Sequence, residues 1–343
     1  MARILYGISP IGLGHATRSL VVARALSSAG HDVKLFSGGK AAEFIRSQGL
    51  MAEDIVSDPS LEIVGGEMKR ASLWYLRSWA ALRGTKSQTE KLFDSYRPDL
   101  VVCDEEFSGI TVAMEKGCKT AFISDELELG FARGWLARTI ERRVEGWYRN
   151  LQASVDVLVI PESGEDSGNR RYVGPIVREV IATAIQTRAS HALPTKGRMV
   201  LLSMSGSGLG EFLLRETVDV MKRGAVPGAF LAISGNRGKA AQGDHMFDLG
   251  IVSDNQNLVA CADLVVSTAG KSTIDEAASA GTPIIVIPIK HHAEQERNAA
   301  ALGYSPESLG NLAGLMNEKI GKREPPRKFL GVETISRLLI SML

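Results

Sequence analysis

Residues 3–30 read RILYGISPIGLGHATRSLVVARALSSAG. The apolar run Arg3–Ile8 has the length and composition of a strand. A Pro/Gly loop follows, then an amphipathic stretch from about Ala16 to Ala29 with helical spacing. Gly30 stands where a helix enters the left-handed conformation that glycine takes without strain. Strand, glycine loop, helix and closing glycine recur at 199–224 (Met199–Met204, Ser205–Gly210, Glu211–Arg223, Gly224) and again at 264–281. Further strands are expected at His31–Phe36, Leu100–Cys103, Thr120–Ile123, Val155–Ile160, Ala229–Ser234, Leu264–Ser267 and Ile284–Ile287, with a helix near Lys40–Gln48 closed by Gly49. Short β-rich runs alternating with longer helical ones predict an α/β protein whose parallel sheets are covered on both faces. No fixed period links the copies, which makes them two similar folds and not a solenoid.

The chain has 343 residues, more than one core usually holds, so two domains are expected. Pro161–Gly197 is polar, carries Pro161, Pro175 and Pro194, and lacks strand alternation. The expected division is a first domain at 1–165, a linker at 166–197 with one helix at Val177–Arg188, and a second domain at 198–328. A Lys/Arg/Pro-rich hinge, Lys322–Lys328, leads to a last helix, about Gly331–Met342; the closing segment 331–343 is expected to pack back on the first domain. Hydrophobic residues at 44% and charged residues at 23% are ordinary globular values. The formal net charge of +1 gives no global field for nucleic acid, and no nucleic-acid partner is expected. Cys103, Cys118 and Cys261 form no CxxC pair, so neither a disulfide framework nor a zinc site is expected. No apolar run reaches the roughly 18–20 residues that span a bilayer. The N-terminal apolar stretch is too short for a signal peptide, and a cytoplasmic location is expected.

Gly12-Leu13-Gly14-His15 joins the first strand to a helix N-terminus. Such a junction exposes backbone N–H groups and a positive dipole end, and in open parallel sheets ligands gather at this strand end. A nicotinamide site is not expected. The spacing is not GxGxxG, and the second strand ends Lys34-Leu35-Phe36-Ser37 without the acid that holds a ribose. His15 is open to two readings, a structural side chain or a catalytic one. Asp104 ends the run Val101-Val102-Cys103 and should open at the same sheet edge; a carboxylate beside an imidazole fixes its tautomer and raises its basicity. Ser205-Gly206-Ser207-Gly208 is a second junction, either a diphosphate cradle or a flexible turn. The third, Ser267-Thr268-Ala269-Gly270-Lys271-Ser272-Thr273, is no P-loop, because the first glycine of that motif would fall at Val265 inside the strand. Glu276, one turn into the next helix, either complements the helix dipole or accepts two hydrogen bonds from a ribose diol.

The stretch STAGKSTIDEAASAG from Ser267, followed by TPIIVIPIKHHAEQERNAAAL, resembles the donor-binding half of GT-B glycosyltransferases of the MurG type, within the UDP-glycosyltransferase superfamily. The pattern is a glycine, a glutamate six residues on, Gly-x-Pro, a strand, and a glutamine shortly before Asn-Ala. The opening GLGHATRSL extends the resemblance and looks like a prokaryotic, largely archaeal, MurG-related group. The resemblance implies two Rossmann-like domains with parallel sheets facing across a cleft. By it, Glu276 binds the donor ribose, and Gly270, Lys271, Ser272 and Thr273 lie at the diphosphate with Ser207 and Gly208. Gln295, with Glu294 beside it, contacts the donor sugar, and the loop Val252–Asn257 holds the base through its backbone. His15 matches a general-base histidine and Asp104 its partner acid, with Gly12 and Gly14 in the acceptor loop.

The implied reaction is attack of an acceptor hydroxyl on the anomeric carbon of a nucleotide-sugar, a UDP-sugar by resemblance, with inversion. No cofactor is expected beyond that co-substrate. No metal is expected either, since no DxD-type pair stands in place and Asp104-Glu105-Glu106 belongs to the acceptor half. Phe131–Leu151, FARGWLARTIERRVEGWYRNL, is either a membrane-surface helix serving a lipid-linked acceptor at the inner face of the membrane or a crossover helix with a solvated basic face. Trp74, Tyr75 and Trp79 either line an acceptor pocket or belong to the core. Two other functions stay open: a 2-epimerase or hydrolase of the same fold, drawing on Asp104, Glu105, Asp125 and Glu126, and a non-catalytic nucleotide-sugar sensor.

Overall fold

The computed structural model describes residues 1–57, 62–64, 67–69, 71–125, 135–204, 210–236 and 245–343. The chain divides into two compact units: Met1–Glu62, Arg70–Val177 and Phe329–Leu343 form one, and Ile63–Lys69 with Arg178–Lys328 form the other.

The first unit opens with β1 (Arg3–Ile8), α1 (Gly14–Ser28), β2 (Asp32–Ser37), α2 (Gly39–Ser47) and β3 (Ala52–Asp54). In chain order a two-stranded ladder, β4 (Glu62–Val64) and β5 (Glu67–Lys69), whose residues Ile63–Lys69 are counted with the second unit, precedes α3 (Ala71–Tyr96). Then come β6 (Leu100–Asp104), α4 (Phe107–Glu115), β7 (Lys119–Ile123), α5 (Trp135–Ser154), β8 (Val157–Ile160) and β9 (Arg170–Tyr172). Among the described residues seven strands form one parallel sheet in the order β3-β2-β1-β6-β7-β8-β9. Alternation along β1 assigns its two faces. Ile4, Tyr6 and Ile8 pack with residues of α1 and α2, whereas Leu5 packs with Val101, Phe122 and residues of α4 and α5. Each such aliphatic side chain, once buried, contributes about 1.5–3 kcal/mol.

The second unit runs α6 (Ala184–Ser190), β10 (Arg198–Ser203), α7 (Glu211–Lys222), β11 (Ala229–Ser234), β12 (Met246–Asp248) and α8 (Asn255–Cys261). It continues with β13 (Leu264–Ser267), α9 (Lys271–Ala280), β14 (Ile284–Val286), α10 (Ala293–Ala301) and α11 (Leu312–Lys319). Its parallel sheet is ordered β12-β11-β10-β13-β14. Gly281 ends α9 with φ of 67°, and a Cβ there would run into the Glu324 carbonyl oxygen, so glycine is required twice over. The last helix, α12 (Gly331–Ser341), returns to the first unit, where Ile335 and Leu339 join the core that holds Leu20 and Ala23 of α1.

The stretch expected to be a linker carries structure of its own. Residues 170–172 add β9 to the edge of the first sheet, and the helix expected over Val177–Arg188 runs instead over Ala184–Ser190. A capping box sets that start: the Thr183 side chain accepts from the Gln186 N–H, and the Gln186 side chain accepts from the Thr183 N–H.

Candidate active site

In the first unit the site grows from the β1–α1 loop. Gly12 has φ of 69°, and the turn delivers Gly14 and His15 to the first turn of α1, whose N-terminus has no side-chain cap. Ile8 is in register with Asp104, and the Ser9 N–H donates to the Asp104 carbonyl at 2.9 Å, which puts loop and acid at one sheet edge. There the His15 Nδ1 lies 2.9 Å from Asp104 Oδ1. The buried Asp104 carboxylate also accepts from Arg18 Nε at 2.8 Å, Arg18 Nη2 at 2.6 Å and Ser19 Oγ at 2.7 Å. Arg18, one turn after His15, extends Nη1 to Asp125 Oδ1 at 2.8 Å.

Burial opposes charge on Asp104, but the Arg18 guanidinium and then His15 hold its carboxyl well below the usual carboxylate range. Burial also opposes charge on His15; the Asp104 carboxylate outweighs it and raises the imidazole above its ordinary value. An ionised carboxylate only accepts hydrogen bonds, so Nδ1 carries the proton and Nε2 the lone pair. The His15 side chain is 22% exposed, enough for a ligand to reach it.

The two neighbouring acids do other work. Glu105 sits at φ of 50°, a conformation L side chains seldom adopt, and accepts from the Tyr148 hydroxyl at 2.7 Å. Tyr148 in turn meets Ser124, to which Gln152 donates at 3.1 Å. Burial pushes the Glu105 carboxyl up to about 7, with His15 and Tyr148 pulling the other way. Glu106 caps α4, accepting from the Ser108 N–H at 2.8 Å and the Gly109 N–H at 2.7 Å.

In the second unit Gly270 is the N-cap of α9, and no side chain caps that helix. Among the described residues, the first-turn N–H groups of Lys271, Ser272 and Thr273 stand at a positive dipole end without a side-chain partner. Lys271 Nζ reaches both carboxylate oxygens of Asp275 at 2.7 Å. Glu276 is buried and accepts from Arg178 Nε at 2.8 Å, while Arg178 Nη1 donates to the Ser253 carbonyl at 3.3 Å. Sequence reasoning did not single out Arg178; nothing local marks a residue 98 positions from its partner. Gln295 is buried with Oε1 accepting from the Ile289 N–H at 3.0 Å. Asn298 Nδ2 donates to the Ala269 carbonyl at 3.1 Å and lies 3.5 Å from Glu294 Oε1, which ties α10 to the loop before α9.

Ser207, Gly208 and Glu126 lie outside the described residues, as do the side chains of Trp74, Tyr75 and Trp79. Val252–Asn257 is not wholly a loop, because α8 begins at Asn255. In α5, Tyr148 and Leu151 are buried, and Tyr148 packs edge-on to Phe107 and Phe122. Arg138, Arg142, Arg143 and Arg149 are exposed, and Trp135 is 79% exposed. Among the described residues no three His, Cys, Asp or Glu side chains are grouped to hold a metal ion, and no helix is long and apolar enough to cross a membrane.

Two families match parts of the chain: Glycosyl transferase family 1 over residues 2–124, and the Glycosyltransferase family 28 C-terminal domain over residues 235–311. An uncharacterized glycosyltransferase of Methanosarcina acetivorans is 27% identical over 332 residues, covering 88% of this chain and 83% of the relative. The UDP-N-acetylglucosamine--N-acetylmuramyl-(pentapeptide) pyrophosphoryl-undecaprenol N-acetylglucosamine transferase of Glaesserella parasuis is 24% identical, covering 82% and 77%. Among solved structures, the glycotransferase of kitacinnamycin superposes with a TM-score of 0.64 at 16% identity, covering 100% of this chain and 99% of its own. A Streptomyces sp. SF2575 glycosyltransferase complexed with thymidine diphosphate gives a TM-score of 0.63 at 15% identity, covering 99% and 100%. With two parallel α/β units and these likenesses at both ends of the sequence, the chain has the fold of the GT-B glycosyltransferases and is similar in sequence to glycosyltransferases of the MurG-like group.

Proposed function

We propose that the chain transfers a sugar from a nucleoside-diphosphate sugar, a UDP-sugar, to an acceptor hydroxyl, with inversion and without a bound metal. The observation that carries this is the His15–Asp104 pair, 2.9 Å apart at the β1–α1 junction. His15 Nε2 takes the acceptor proton as the acceptor oxygen bonds to the anomeric carbon. The bond from that carbon to the diphosphate breaks, and the diphosphate leaves with the electron pair. Its growing charge is met by the N–H groups at the start of α9, where Gly270 to Thr273 present an uncapped helix end. Glu276 accepts from the donor ribose diol, its carboxylate fixed on one side by Arg178. Gln295 and Glu294, at the head of α10, face the donor sugar, and Ser207 and Gly208 join the diphosphate site.

The donor class is supported by the names of the relatives. The Glaesserella enzyme is named for UDP-N-acetylglucosamine, and the Streptomyces structure holds thymidine diphosphate; both contain a pyrimidine nucleoside diphosphate. An epimerase would need free acids around the sugar, whereas Asp104 and Asp125 are both committed to Arg18. A lipid-linked acceptor is our choice for the first unit, on the pyrophosphoryl-undecaprenol in the Glaesserella name and the exposed Trp135 and arginines of α5.

Transfer from UDP-sugars to a panel of hydroxyl acceptors tests the mechanism. His15→Gln should lower transfer by about 10²–10⁴-fold, the usual worth of a general base, with nucleotide affinity unchanged. Product NMR should show the anomeric configuration inverted. A retained configuration overturns the single displacement.

A further inference from the structure

Asp104 has no lone pair to spare. Oδ1 accepts from His15 Nδ1 and Arg18 Nη2, and Oδ2 accepts from Arg18 Nε and Ser19 Oγ. Four donors around one carboxylate leave it no rotation, so the ring that leans on Oδ1 is fixed with it. The guanidinium has a second client. While its Nε/Nη2 edge grips Asp104, Nη1 reaches Asp125 Oδ1 at 2.8 Å and Oδ2 at 3.1 Å. A planar fork with five donors can serve two carboxylates at once; a lysine ammonium is a single point on a flexible stem. Arg18 is 7% exposed, so this bridge lies largely out of water, where charges act strongly.

We propose that Arg18 is a positioning residue: clamped between Asp104 and Asp125, it fixes the proton of His15 on Nδ1 and sets the pH at which Nε2 becomes available as a base. The inference rests on the base role assigned to His15, yet its geometry can be tested without any acceptor. Arg18 Nη2 lies 3.2 Å from His15 Nδ1, closer than bulk screening allows a cation to be neglected. The groups facing His15 are Asp104 at the end of β6, Glu105 directly after it, Asp125 after β7 and Arg18 on its own helix. The Arg18 cation discourages a second positive charge on the ring, and Asp125 encourages it. Arg18 and Asp125 therefore pull the imidazole in opposite directions, so removing each should shift it with opposite sign.

The experiment is a pH titration of the free protein by ¹⁵N–¹H NMR of its imidazole nitrogens, with His15 assigned against His15→Gln. The wild type should show the Nδ1–H tautomer. Arg18→Gln should move the His15 midpoint up and Asp125→Asn should move it down, each by about half a pH unit or more. Arg18→Lys keeps the charge but cannot span both acids, and should give mixed tautomers; with Asp125→Asn it decides the matter if Arg18→Gln does not fold. In the transfer assay the acid limb should follow the NMR midpoint in each variant. Unchanged tautomer and midpoint in all variants, or shifts of one sign in Arg18→Gln and Asp125→Asn, would overturn the proposal. Midpoints that move as stated while His15→Gln transfers sugar at the wild-type rate would remove the base role and leave the clamp standing.

Discussion

Replacing Glu105 with Gln isolates a carboxyl that burial pushes up to about 7. The side chain is 9% exposed, and Tyr148 donates to it at 2.7 Å. In an unfolded chain a glutamate titrates at about 4.3. The folded state therefore keeps this proton to higher pH than the unfolded one does. Between those two values the native protein binds more protons, so this group's contribution to stability falls as pH rises through the window. Linkage puts the loss at about 2.5 kcal/mol between pH 5 and pH 8. Gln keeps an oxygen for the Tyr148 hydroxyl and carries no charge at any pH. Apart from His15, which feels the Glu105 charge, the titrating groups are common to both proteins and cancel in the difference. Urea unfolding followed by tryptophan fluorescence suits the measurement, because all four tryptophans (Trp74, Trp79, Trp135, Trp147) belong to the first unit. The stability of Glu105→Gln relative to wild type should climb steadily from pH 5 to pH 8. A difference that stays flat with pH, or a variant that becomes the less stable protein at pH 8, would refute the reasoning.

Asp104→Ala strips the partner from a buried guanidinium and from Ser19, and breaking such a pair costs about 3–5 kcal/mol. The same urea experiment at neutral pH should show that loss, whereas Asp104→Asn should lose less because it still accepts; equal losses in the two would contradict the charge argument. The exposed arginine face of α5, with Trp135, should bind vesicles of anionic phospholipid in a sedimentation assay at low salt, and Trp135→Ala should weaken the binding. A chain that stays in the supernatant with such vesicles removes the case for a lipid-linked acceptor.

What could be read from the sequence was what local spacing encodes. β1 and β11 stand at the residues expected of them, because unbroken apolar runs between turn residues have one reading. The end of α9 was equally legible, since Gly281 marks a left-handed turn. Strands β3 and β9, three residues each, were not, because three residues carry no alternation and their partners supply the pairing. Helix α8, only seven residues long and with no side-chain cap from Asp254, lacks the length and the start signal that mark a helix in sequence. In the site, His15 and Asp104 could be nominated from their places at a glycine loop and a strand end. Their contact spans 89 residues, and only the β1–β6 register creates it. Arg18 was passed over because an arginine on an amphipathic helix reads as surface, and its burial depends on two acids that arrive from other strand ends. Arg178 lies three residues after Pro175 with no motif of its own; its tie to Glu276 belongs to tertiary structure.

The central claim is that the second unit holds a pyrimidine nucleoside diphosphate at the start of α9, with Glu276 on the ribose. A thermal-shift titration with UDP, TDP, GDP and ADP, run on the wild type and on Glu276→Ala, tests it directly. At 100 times its Kd a ligand stabilises the fold by about 2.7 kcal/mol, a readily visible rise in Tm. The account predicts a rise with UDP that exceeds those with GDP and ADP and disappears in Glu276→Ala. No rise with any of the four nucleotides, or an undiminished rise in Glu276→Ala, would contradict it.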